Sequence, residues 1–142
     1  MSQGLDIALE RERIPRAEAV VTRGLAEFNR ENCGRVDTQT LDILVRDGKG
    51  EIIGGLLGRS SLGMFFLDLF YLPASLRGSG LGSRIMAQAE AEARRRGCTT
   101  ALVYTGTFQA PGFYEKYGYR RFGEIACPPD GATRIFLSKS LV

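Results

Sequence analysis

The 142-residue chain contains no histidine. That removes the commonest general base near neutral pH and the commonest metal ligand, so acid–base chemistry falls to Tyr, Asp, Glu, Cys or water. Cysteine is sparse. Cys33, Cys98 and Cys127 are odd in number, far apart and without metal-ligand spacing, which reads as reduced thiols rather than a disulfide framework or a metal cage. Cys98 follows Gly97 at the entry to an expected strand and reads as a small core residue, whereas Cys33 and Cys127 fall in expected loops. No apolar run approaches the roughly 20 residues of a membrane helix. The N-terminal Met1-Ser2-Gln3-Gly4-Leu5-Asp6 lacks the basic-then-apolar order of a secretion signal. The default address is therefore cytoplasmic, with no membrane partner. A strong excess of one charge is also missing: the net charge is +3, so a nucleic-acid partner is not indicated. The length fits one domain over residues 1–142, with room for a substantial core.

Hydrophobic periodicity lays out the elements. Leu5 to Glu10 alternates weakly, as a first strand would. Pro15 suits the first turn of a helix, and Ala17, Val21, Leu25 and Phe28 recur at near-helical spacing until Asn32-Cys33-Gly34. Leu41 to Arg46 reads as a strand, Asp47-Gly48-Lys49-Gly50 as a hairpin turn and Glu51 to Gly58 as the returning strand. Met64 to Leu72 is a long apolar run carrying one charge, Asp68, as expected of a central strand buried on both faces. A helix follows with Leu81, Ile85, Ala89 and Ala93 on one stripe and the pairs Glu90–Arg94 and Glu92–Arg96 on its outer face. Gly97 ends it, and Thr99 to Tyr104 is the next strand, giving a parallel strand–helix–strand unit. Gln109 to Tyr117 reads as a short helix stopped by Gly118. Two last strands, Tyr119 to Ile125 and Arg134 to Leu141, flank a Pro128–Gly131 loop. The order β α β β β α β α β β implies an α/β (α+β) mixed sheet of about seven strands with flanking helices.

The junction between the central strand and its helix carries the chemistry. In Arg77-Gly78-Ser79-Gly80-Leu81-Gly82-Ser83, alternating glycines let backbone amides approach an anion without side-chain obstruction. The helix that follows points its positive end at the same place. A Walker loop is excluded because no Gly-Lys-Ser/Thr follows. A dinucleotide fingerprint fits poorly because three strands precede the turn. In its order and position the run resembles the acetyl-CoA pyrophosphate loop of the GNAT N-acetyltransferase superfamily. Ala110-Pro111-Gly112-Phe113-Tyr114-Glu115-Lys116-Tyr117-Gly118-Tyr119 is similar to the same superfamily's C-terminal helix and turn. Thr107-Phe108-Gln109-Ala110-Pro111 narrows the likeness to a subgroup of small bacterial members that read Phe-Ser-Phe-Gln-Ala-Pro. The likeness spans Met64 to Ile125 well and the N-terminal half only through element order. This chain departs from many relatives at Tyr104, where they carry an acid. It departs again at Thr107, where an Asn is frequent, and at Gly131-Ala132, where a Gly-His is frequent.

The resemblance implies a GNAT-like acyl-CoA N-acyltransferase fold and a direct transfer of acetyl from acetyl-CoA to an amine, without an acyl-enzyme and without a metal. It assigns the pyrophosphate to the amides of Arg77, Gly78, Ser79, Gly80, Leu81, Gly82 and Ser83. The pantetheine and acetyl carbonyl fall to the backbone of Phe70, Tyr71 and Leu72. Thr107, Ala110 and Tyr114 join the cofactor side, and Tyr114 is the tyrosine that protonates the leaving thiolate, with Phe113 and Tyr117 as packing. As general base, Asp68 stands out as a lone carboxylate in an apolar strand, where burial raises a carboxyl pKa; Glu124 and water are the alternatives. Residues 29–36 and 127–132 are the segments expected to select the acceptor. Their few carboxylates argue against a polycationic aminoglycoside. A homodimer is frequent in the family. Two other readings stand beside this one: a CoA-binding regulatory module without catalysis, and an RNA-directed acetyltransferase using Arg94-Arg95-Arg96, a triplet that also suits a solvated helix end.

Overall fold

The computed structural model describes residues 4–106, 111–129 and 131–142. It comprises two compact units, Met1–Val36 and Asp37–Val142.

The first unit is built on helix α1 (Pro15–Cys33), which opens with proline at its first turn. The Ile14 carbonyl accepts the amides of Ala17 and Glu18 there. Gly34 ends the helix in the left-handed conformation, its N–H on the Arg30 carbonyl, a position where glycine carries no Cβ penalty. The strand expected at Leu5–Glu10 does not form: this stretch joins no ladder among the described residues. Its alternation marks a face but supplies no partner, and a strand exists only as part of a ladder.

The second unit holds strands β1 (Gln39–Arg46), β2 (Ile52–Ser61) and β3 (Met64–Tyr71), then helix α2 (Leu81–Arg95) and strand β4 (Thr100–Gly106). Helix α3 (Pro111–Lys116) and strands β5 (Arg120–Cys127) and β6 (Ala132–Ser140) complete it. Among the described residues six strands form one mixed sheet in the order β1-β2-β3-β4-β6-β5, one strand fewer than expected. Of these strands β3 and β4 run parallel and the other neighbours antiparallel, the parallel pair joined through α2 as the apolar run and its following helix predict. In the first hairpin the Asp47 carboxylate accepts the amides of Lys49 (2.8 Å) and Glu51 (3.0 Å), an Asx turn. The glycines of β2 allow close backbone approach: a Cβ on Gly58 would lie 2.6 Å from the Phe66 carbonyl oxygen.

The core lies on one face of the sheet. Ile85, Met86, Ala89 and Ala93 of α2 are buried with Leu41, Leu56, Phe65, Leu67, Ala101, Val103, Ile135 and Leu137 from five strands. Each large side chain so buried contributes about 1.5–3 kcal/mol, so this face holds α2 in place, and the screened ion pairs on its surface add far less. Cys98 is buried as expected, and its thiol pKa is pushed up by burial. Cys33 is the last residue of α1 and Cys127 the last of β5, rather than loop residues.

Two readings of α2 change. Glu90 is not on the outer face: it is buried. The arginine triplet is largely committed to the protein itself. Arg94 Nε donates to the Leu141 carbonyl at 2.8 Å, and Arg96 donates to the Thr40 carbonyl at 2.9 Å and to Ser60 at 3.0 Å. Arg95 and Arg96 both grip Glu92, whose carboxyl they hold down at about 2.

Candidate active site

The site begins where the central strands part. The parallel ladder runs from Met64↔Thr100 to Leu67↔Val103 and ends there, although β3 continues to Tyr71 and β4 to Gly106. The cause is a bulge. Between Leu57 and Gly58 the β2–β3 register shifts, so that Leu57 faces Leu69 and Gly58 faces Leu67. Asp68 is the extra residue, and an extra residue bends its strand and strengthens the local twist. Beyond the bulge, Leu69, Phe70 and Tyr71 keep their ladder with β2 alone. The edge of β3 that turned toward β4 therefore presents backbone donors and acceptors to the gap, and such groups seek a partner.

The strand leads through Pro73 and a 3₁₀ turn at Ala74–Leu76 into the glycine loop. Gly78 (φ +78°) and Gly80 (φ +84°) both take the left-handed conformation, which L side chains disfavour. Gly80 is the N-cap of α2, and as a glycine it offers no capping side chain. The amides of its first turn are consequently left for another partner, at the positive end of a 15-residue helix. Gly82 has a different role, because a Cβ there would come within 3.1 Å of the Phe113 ring. The loop is braced from inside. Arg77 Nε donates to the Leu72 carbonyl at 2.8 Å, and the Ser79 hydroxyl donates to the Leu76 carbonyl at 2.6 Å. This ties the Arg77 side chain to the strand end.

Helix α3 packs on the first turn of α2. The Ser83 and Tyr117 hydroxyls are hydrogen-bonded, and the Phe113 ring meets Phe70 and Tyr117 edge-on at 5.5 and 5.0 Å. Tyr114, between them in sequence, is buried. Its ring stands edge-on to Phe113 (5.2 Å) and Tyr119 (5.9 Å), and burial pushes its pKa up to about 12. Thr107 and Ala110 lie outside the described residues.

The general-base candidates are placed less favourably. Asp68 is not the buried carboxylate its apolar strand suggests. As the bulge residue it turns outward, its side chain is 42% exposed, and it is ion-paired with Arg59 at 2.6 Å. Glu124 is more exposed still, with Arg121 at 3.7 Å.

One polar cluster was not anticipated. The buried Glu90 accepts the Tyr119 hydroxyl at 2.9 Å and Lys139 Nζ at 2.7 Å. Glu90 lies four residues after Met86 and three before Ala93, both buried, so a helical projection that included Met86 places it beside the apolar stripe.

Residues 7–119 match the Acetyltransferase (GNAT) family. The chain belongs to that family. The match spans parts of both units, and the enzyme is an N-acetyltransferase. It is 32% identical over 123 residues to the acetyltransferase Atu2258 of Agrobacterium fabrum, covering 87% of this chain and 90% of that one. It is 46% identical over 94 residues to the blasticidin-S acetyltransferase of Streptomyces morookaense, covering 66% of this chain and 69% of the relative. A crystal structure of an acetyltransferase from Agrobacterium tumefaciens superposes with a TM-score of 0.87 at 29% identity, over 96% of this chain and 99% of that chain. The mixed sheet of the GNAT acetyltransferases is thus the fold of this enzyme. No helix among the described residues is long and apolar enough to cross a membrane.

Proposed function

We propose that this acetyltransferase moves the acetyl group of acetyl-CoA directly onto a primary amine of a small molecule or peptide. The observation that carries the reading is the parting of β3 and β4 after Leu67↔Val103, followed at once by the uncapped, left-handed glycine loop. The gap accepts an extended chain with amide groups, and the loop accepts an anion at its end. Pantetheine and pyrophosphate have that chemistry and that order. The amides of residues 77–83 take the pyrophosphate, and the backbone of Phe70, Tyr71 and Leu72 holds the pantetheine and polarises the acetyl carbonyl, the kind of fixed donor that contributes most in acyl transfer.

The amine nitrogen attacks the thioester carbonyl carbon, a C–N bond forms, and the C–S bond breaks with its electron pair on sulfur. Tyr114 hydrogen-bonds the departing thiolate and delivers the proton to it. The proton lost by the amine passes to Asp68 or to water, and solvent returns a proton to the Tyr114 phenolate, so that no proton is gained or lost over the turnover. Tyr114 near 12 is well above an ordinary thiol at about 8.5. Transfer from the phenol to an ordinary thiolate is therefore uphill, and desolvation of the sulfur in a closed site, which raises a thiol's pKa because its charged form is the anion, narrows that gap.

Blasticidin S is the first acceptor to test, given the relative that is named for it. The experiment is release of free CoA thiol in the presence of blasticidin S and a panel of primary amines. Wild type should release thiol in proportion to acetylated product, and Tyr114→Phe should lower kcat about 100-fold, in the range of general-acid contributions, with no change in acetyl-CoA affinity. Wild-type turnover in that variant removes Tyr114 from the chemistry.

A further inference from the structure

Helix α3 has six residues. A helix of one and a half turns cannot hold its own register in water, because nucleation is costly and too few bonds follow to repay it. What fixes it, and with it Tyr114, has to come from outside the helix.

Phe113 and Tyr117 anchor the face of α3 that meets α2, and Tyr119 holds Tyr114 itself. Its backbone N–H donates to the Tyr114 carbonyl at 3.2 Å, and its ring meets the Tyr114 ring edge-on at 5.9 Å. Its hydroxyl donates to Glu90 Oε2 at 2.9 Å. The other oxygen, Oε1, takes Lys139 Nζ at 2.7 Å and faces Arg94 at 3.8 Å. Lys139 Nζ also stands 5.6 Å from the centre of the Tyr119 ring. One residue is thus tied at both ends, to the helix that carries Tyr114 and to a carboxylate in the body of α2. An apolar side chain at 90 would fill the same space without the desolvation cost of a buried ion pair. What the carboxylate adds is a directional bond to one hydroxyl.

We propose that Tyr119 is a positioning residue for Tyr114, held in place by the buried Glu90 and its partner Lys139. The proposal rests on the reading of Tyr114 as the proton donor. Glu90 lies about two turns along α2 from the cradle amides, and the contacts of Tyr119 are with Tyr114, Glu90 and Lys139 rather than with those amides, so loosening Tyr119 acts first on the donor.

Tyr119→Phe is the variant to make, because it keeps the ring and deletes only the hydroxyl. With the amine that gives the fastest thiol release, kcat should fall about tenfold or more, since a displacement near 1 Å costs up to a hundredfold. KM and calorimetric Kd for acetyl-CoA should stay at wild-type values. Glu90→Gln retains an acceptor for the hydroxyl and should lie between wild type and Tyr119→Phe. The deciding comparison is the double variant. If Tyr119 acts through Tyr114, then Tyr114→Phe/Tyr119→Phe turns over at the rate of Tyr114→Phe alone. An equal fractional loss from Tyr119→Phe in both backgrounds overturns the proposal, as does a rise in acetyl-CoA Kd or an unchanged kcat. Thermal melting of each variant confirms that assays are run on folded protein. If Tyr114→Phe alone keeps the wild-type rate while Tyr119→Phe does not, the donor reading fails and this one with it. A wild type that binds acetyl-CoA but releases no thiol with any amine overturns both.

Discussion

Gly80→Val tests the cradle with little else disturbed. Gly80 is left-handed at φ +84°, and a Cβ built on it meets nothing within 4 Å. The cost of a side chain there is conformational, not steric. An L-residue in that region costs about 1–2 kcal/mol, and a β-branched one lies at the upper end. That energy has two places to go. If the loop keeps its shape, the strain is present with and without ligand, so stability falls and affinity does not. If the free loop relaxes, stability is spared, and ligand binding has to restore the left-handed turn. With open space around the Cβ, relaxation is the expected route. Acetyl-CoA should then bind about 5–30-fold more weakly, the ratio that 1–2 kcal/mol sets. The thermal midpoint should move by less than about 3 °C in a chain of this size. Gly48→Val, at a hairpin glycine with no positive φ and no neighbour within 4 Å of a Cβ, is the control and should change neither. Calorimetric titration and a melting curve on the three proteins suffice. An unchanged Kd together with an unchanged midpoint, which would mean that the loop relaxes and still binds, refutes the claim that the left-handed turn builds the anion seat.

The remaining predictions are briefer. Phe65→Ala empties a fully buried position and should cost about 3–5 kcal/mol of folding free energy, read from the urea midpoint. Asp68→Asn breaks an exposed pair and should change stability by less than about 1 kcal/mol. If Asp68 takes the amine proton, the same variant lowers kcat, and an unchanged kcat assigns that proton to water. Stability should also fall in alkali. The folded pKa of Tyr114, about 12 against an ordinary 10, means the unfolded chain ionises first. The neutral phenol's contribution is therefore complete below pH 10 and is lost as pH rises from 10 through 12. Thermal midpoints should be flat on this account up to about pH 9 and fall above about pH 10, and Tyr114→Phe should flatten part of that fall.

The parts of the fold that the sequence made legible are those with a local cause. The glycine loop at Gly78–Gly82, the stripe Ile85–Ala89–Ala93 and the Asp47 turn each follow from residues within a few positions of one another. A single long apolar run followed by a helix also sufficed to place the parallel pair. Asp68 was misread because a bulge belongs to two strands: the shift at Leu57/Gly58 decides which way the carboxylate turns, and β3 alone carries no sign of it. Glu90 was misread because its i,i+4 spacing to Arg94 suggests a surface pair. Its partners Tyr119 and Lys139 lie 29 and 49 residues away and are joined to it only by the fold. Leu5–Glu10 carries a strand's alternation without its ladder, since periodicity describes one chain segment and pairing needs two.

The central claim is that the gap between β3 and β4 and the loop at residues 77–83 together seat acetyl-CoA. Its most direct test is calorimetric titration of the protein with acetyl-CoA, with adenosine 3′,5′-bisphosphate, which lacks both pantetheine and pyrophosphate, as the comparison. Micromolar, one-to-one binding of acetyl-CoA and much weaker binding of the bisphosphate is the predicted result. No heat with acetyl-CoA, or equal affinity for the two, would contradict it.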